Sequence, residues 1–112
     1  MIKFLSVLAL CSLASPAFAD AILQKSSPAR GAKVKSPTHV VLHFSEPLEP
    51  AFSGALLLDS DGRNVSGAPV KIDGTELMMT PGSLSPGIYH VAWHAVGHDT
   101  HRREGEFSFT VK

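Results

Sequence analysis

The sequence predicts an all-β protein, an antiparallel β-sandwich of about seven short strands. Three observations carry this. Apolar residues recur with a period of two, the spacing that puts one side of a strand on a core. Turn-forming pairs punctuate the chain at intervals of about 8–12 residues. No apolar helical period runs beyond two turns. Residues 22–25 are the first strand candidate, closed by Ser27-Pro28 and Arg30-Gly31. After Ser36-Pro37, the apolar Val40, Leu42 and Phe44 alternate with His39, Val41 and His43. Residues 46–53 (EPLEPAFS) hold two prolines and predict a loop or one short turn. Strand candidates follow at 55–58 and 70–72, separated by Asp61-Gly62 and closed by Asp73-Gly74. Leu77 and Met79 alternate with Glu76 and Met78. Beyond Pro81-Gly82 and Pro86-Gly87, Tyr89, Val91, Trp93 and Ala95 alternate with His90, Ala92 and His94, and Gly97 ends that run. Phe107, Phe109 and Val111 close the chain, with Glu106, Ser108 and Thr110 facing the other way. Met79 and Trp93 are expected in the core.

The first 19 residues stand outside this pattern. Lys3 supplies a positive start, residues 4–14 (FLSVLALCSLA) are apolar, Ser15-Pro16 break the run, and Ala17-Phe18-Ala19 puts small residues at −3 and −1. This predicts a secretory signal peptide over 1–19, cleaved after Ala19, and a single domain over 20–112. Ala19-Asp20-Ala21 offers a second cut after Ala21. The run is too short to span a bilayer, so no membrane insertion of the mature chain is expected. Leu10 ahead of Cys11 is too bulky for a usual lipoprotein signal. Cleavage removes Cys11, the single cysteine, so the exported domain holds itself together by its core and not by disulfides.

Composition excludes several functions. Lys+Arg and Asp+Glu both number 10 in the 112 residues, leaving no cationic surplus for phosphates; nucleic-acid binding is not expected. The mature chain has no cysteine nucleophile, no Gly-x-Ser-x-Gly elbow and no glycine-rich phosphate loop. An enzyme is not expected.

Six histidines are the excess side chain. Residues 90–101 read HVAWHAVGHDTH. His90 and His94 share a strand face, but about 13 Å of rise separates them, too far to chelate one ion. His39 and His43 are the same case. Asp99 and His101 differ: in an extended segment, residues two apart point the same way, so a carboxylate and an imidazole can converge on one ion. His98 points the opposite way unless the turn after Gly97 redirects it.

Taken together, residues 23–31 (LQKSSPARG), 41–47 (VLHFSEP), 52–54 (FSG), 86–93 (PGIYHVAW), Asp99-Thr100-His101, Gly105 and residues 107–111 (FSFTV) run through nearly the whole mature chain. In this order they resemble the small periplasmic copper-binding proteins of the CopC/PcoC copper-resistance family. The resemblance implies a cupredoxin-like, Ig-like Greek-key β-sandwich or barrel. It implies periplasmic carriage of Cu(II), one ion per chain, in copper homeostasis and resistance. It also implies delivery to a CopD-type inner-membrane copper transporter. In that family Cu(II) is held by the free N-terminal amine, an N-terminal histidine, and the aspartate and histidine of Asp-x-His. The last two carry over to Asp99 and His101. The position of the N-terminal histidine is Asp20 here, so the metal set expected is Asp20, Asp99 and His101, with one nitrogen exchanged for an oxygen. His98 and His43 are further candidates, His43 more simply a structural strand residue. The family's methionine-rich Cu(I) loop has only Met78 and Met79 in the corresponding stretch, so no thioether site is expected. A relative that has lost tight metal binding, acting as an exported partner-binding sandwich, is the alternative that Asp20 raises. An oxidative copper enzyme would draw on the N-terminal imidazole this chain lacks.

Overall fold

The structure, a computed structural model, describes residues 21–112. The signal peptide expected over 1–19 and the candidate ligand Asp20 lie outside the described residues.

Among the described residues, eight strands form two four-stranded sheets. They are β1 (Leu23–Ser27), β2 (Lys33–Val34), β3 (Val40–Phe44), β4 (Gly54–Leu58), β5 (Ala68–Asp73), β6 (Glu76–Thr80), β7 (Gly87–Val96) and β8 (Arg102–Val111). One sheet runs β1-β3-β6-β5 and the other β2-β8-β7-β4, so consecutive strands repeatedly change sheet. The chain therefore closes as a sandwich, with the inward rows of both sheets sharing one core.

Alternation places that core as expected. Val40, Leu42 and Phe44 on β3, Leu77 and Met79 on β6, Val91 on β7, and Phe107, Phe109 and Val111 on β8 are all buried. Tyr89 is buried too; its ring stacks on Phe109 at 6.0 Å and its hydroxyl donates to the Ser85 carbonyl at 2.6 Å. The phenol thus keeps a partner while its ring leaves water.

Three expectations need correction. The extra strand, β2, is only two residues long and has no alternation to detect. It exists because Lys33 and Val34 pair with Thr110 and Val111, and this pairing is parallel, so the sandwich is not wholly antiparallel. Strand β8 starts at Arg102, well before its apolar residues, because each residue from 102 to 111 is in register with β7. Trp93 packs against the core but is only partly buried. It meets Phe44 edge-on at 5.2 Å and lies across Gly105, where an added Cβ would fall 2.5 Å from the ring. Trp93 and Phe44 together close one end of the sandwich.

Candidate metal centre

That same end gathers three pieces of chain. Ser45, just after β3, is bonded both ways to Ile22, the residue before β1: the Ile22 amide donates to Ser45 Oγ and the Ser45 amide to the Ile22 carbonyl, both at 2.9 Å. Ala21 is fully buried. The segment after β3 is tied to the end of β7 by the Glu49 amide, which donates to the Val96 carbonyl at 2.8 Å. The β7–β8 connection, residues 97–101, projects from this end.

Asp99 and His101 do meet there, but not by extended alternation. The connection is a turn, in which the Thr100 amide donates to the Gly97 carbonyl at 3.1 Å. Thr100 has φ +65°, a left-handed conformation rare for a β-branched residue. This backbone reversal, and not a two-residue repeat, brings the flanking side chains together. Asp99 Oδ1 accepts the His101 amide at 3.1 Å, which fixes the carboxylate over the turn. The two-residue spacing of aspartate and histidine was legible; the left-handed threonine between them carried no sequence signal.

The second oxygen is the informative one. Asp99 Oδ2 is buried and has no hydrogen-bond partner among the described residues. It lies 3.3 Å from His101 Nδ1, within ion-pair reach but without the alignment of a hydrogen bond. A buried carboxylate oxygen left in this state is costly unless something else engages it. Two donors each about 2.0–2.2 Å from one first-row divalent ion can lie 3.3 Å apart. The His101 side chain is 70% exposed and that of Asp99 19%, so the imidazole is open to solvent while the carboxylate is rooted in the fold. Among the described residues no group of three or more His, Cys, Asp or Glu side chains is arranged to hold a metal; Asp99 and His101 stand together as a pair.

The other histidines are engaged elsewhere. His98 turns toward Glu49, at 3.8 Å, and Glu49 is a partner that sequence reading did not find. His43 faces Glu76 at 3.4 Å, its direct cross-strand partner on β6. This agrees with a structural strand residue. His90 faces Glu106 at 3.6 Å, and His39 approaches the Thr80 hydroxyl at 3.3 Å. His94 lies over Gly54, opposite it in register. Burial, and then the nearby positive charge of Arg102, lower its pKa below 6.5, with Glu104 pulling the other way. Arg102 and Glu104 pair at 2.9 Å. Met79 is wholly in the core and Met78, its neighbour, faces outward half-buried.

Comparison with known proteins gives a consistent picture. The model of the CopC domain family matches residues 23–112. Copper resistance protein C of Xanthomonas campestris pv. juglandis is 39% identical over 116 residues, covering 95% of this chain and 91% of that protein. The crystal structure of PcoC, described as a methionine-rich copper resistance protein from Escherichia coli, superposes with a TM-score of 0.74 at 35% identity, over 84% of this chain and all of that one. The copper transport protein CutJ of Bacillus subtilis is 31% identical over 110 residues, covering 94% of this chain but only 20% of CutJ.

Proposed function

The chain belongs to the CopC family, and from this premise we propose that it carries divalent copper in the periplasm, clasped by Asp99 and His101 together with the processed chain start at Asp20. Copper binding in copper resistance is its function. The oxidation state, the single ion per chain, the ligands and the compartment are the proposal. The observation that carries it is the buried, unbonded Oδ2 of Asp99 beside the exposed imidazole of His101.

The chemistry of the donors supports Cu(II). That ion favours a tetragonal set of nitrogen and oxygen donors and heads the divalent affinity order. Asp99 supplies an oxygen and His101 a nitrogen. The α-amine of Asp20, which exists only after cleavage of the signal peptide at 1–19, would supply a second nitrogen. A free α-amine has a pKa of about 7.7–8.0, so copper can displace its proton near neutral pH. The Asp20 carboxylate would stand where the family has an imidazole. No step of this role needs a nucleophile or an acid–base pair, and we read the protein as a carrier and not an enzyme. Among the described residues no helix is long and apolar enough to cross a membrane. Delivery to a CopD-type membrane transporter completes the reading.

Purified protein whose intact mass shows Asp20 at its start is expected to bind one Cu(II) and to develop a d–d absorption band. His101→Ala should abolish the band. Unchanged spectra and stoichiometry in that variant would remove the ligand assignment. No binding above background by the correctly processed wild type would favour the rival, a family member without tight metal binding.

A further inference from the structure

One feature beside the clasp has no use within the fold. The short 3-10 turn Pro50–Phe52 buries none of its residues, and Phe52 is 63% exposed. Yet the turn is held firmly. The Phe52 amide donates to the Glu49 carbonyl at 3.0 Å, the Glu49 amide to the Val96 carbonyl at 2.8 Å, and the Val96 amide to Ser53 Oγ at 3.0 Å. The exposed ring is thus held in a fixed place, which lowers the ordering cost of a contact made through it.

Between this turn and the Asp99–His101 turn runs an open groove of about 590 Å³. Phe52, Val96, His94 and Thr100 line it, with Glu49 and Arg102 at its sides. Arg102 is paired with Glu104 and Glu49 lies 3.8 Å from His98, while Phe52 and Val96 give the groove apolar walls. The groove therefore favours an apolar side chain over a charged one. Thr100 stands between the two copper ligands, so the groove wall and the clasp are one continuous surface.

Resting on the copper reading of that clasp, we propose that the Phe52–Thr100 groove is the docking surface for a membrane copper transporter that receives the ion. Copper passes between proteins by exchange of ligands, so donor and acceptor groups touch the ion together. The acceptor must then cover the surface next to His101, and this groove is that surface. The occupant is a segment carrying an aliphatic or aromatic side chain for the groove and, beside it, an imidazole or thioether for the ion. CutJ points to the same neighbour: the region matching this chain is one-fifth of a copper transport protein, so the other four-fifths are joined to such a domain in one polypeptide. Transient contacts of this sort are small, and a single rigid aromatic anchor can dominate them.

The test places the photo-crosslinker p-benzoylphenylalanine at Phe52 in the full-length protein, in cells of the source organism given copper. Ile88, 51% exposed at the opposite end of β7, is the control. Irradiation should yield, from Phe52 and at least about tenfold less from Ile88, a membrane-fraction adduct whose peptides belong to an integral membrane copper transporter. No adduct at Phe52, or adducts only with a second copy of this chain or with a soluble protein, would overturn the proposal. In parallel, Phe52→Asp should leave the Cu(II) band and stoichiometry unchanged while copper tolerance drops to that of a deletion strain. Full tolerance with normal binding would remove the docking surface and leave the copper clasp standing. A transporter adduct that persists in a His101→Ala background, whose wild-type parent fails to bind Cu(II), would keep the docking surface and remove the clasp.

Discussion

Thr100 shows how much a single backbone angle decides. Its left-handed conformation costs a β-branched residue about 1–2 kcal/mol, and the reversal it makes sets Asp99 and His101 side by side. Proline at this position would lock φ near −65° and remove the amide bonded to Gly97. Thr100→Pro should therefore weaken Cu(II) binding by at least about tenfold, the equivalent of about 1.4 kcal/mol, while the circular dichroism of the sheets persists. Retained affinity by titration would show that the turn does not position the ligands. His94 makes a second prediction at this scale. Its folded-state pKa is lowered below the ordinary 6.5, by burial first and Arg102 next. As pH falls below 6.5, the unfolded chain takes up this proton before the folded chain does. Stability should thus decline with acidification between 6.5 and the lower folded value, and be unaffected by this group above 6.5. His94→Gln should flatten that part of the slope in urea midpoints measured across about pH 5.5–7.5, about one unit either side of 6.5. That Asp99 and His101 can converge was legible from their spacing, and they do lie 3.3 Å apart. The direction each side chain takes was not, because it depends on the φ of the residue between them.

Among the elements, the β7–β8 hairpin carries the Asp99–His101 turn, and its geometry depends on one close contact. Trp93 and Gly105 are cross-strand partners, and the indole occupies the space a side chain at 105 would need. Gly105→Ala should destabilise the protein by about 1–3 kcal/mol in denaturant unfolding, the usual cost of forcing atoms into a filled space, with a shift in tryptophan emission. An unchanged midpoint would mean that the ring moves aside freely. Strands β3, β6 and β7 were legible because each has one face in the core, and burial imposes the period of two. Strand β2 and the first half of β8 were not. Their residues are extended because a neighbouring strand pairs with them, and the sequence of one strand does not record its neighbour's hydrogen bonds. His43 and Glu76 make the same point: 33 positions apart in the chain by their numbers, they are adjacent across β3 and β6.

For the molecule as a whole, binding and folding are linked. An ion that binds only the folded chain raises its stability by mass action, about 2.7 kcal/mol at a hundredfold excess over Kd. Stoichiometric Cu(II) should therefore raise the Tm of protein beginning at Asp20. One extra residue ahead of Asp20 displaces the α-amine from the position the copper reading gives it, and should reduce the rise. Equal shifts in calorimetry for both forms would exclude the chain start as a ligand. The order of apolar and turn residues was sufficient for an all-β sandwich with its inward rows, and the motif order was sufficient for the family, because both are written in local sequence. The meeting of Ile22 with Ser45, of Glu49 with Val96, and of the Phe52 turn with the clasp came only from the folded chain. Such contacts join distant segments, and the hydrophobic burial that draws those segments to one end of the sandwich specifies how much surface is hidden but not which polar groups are left facing each other there.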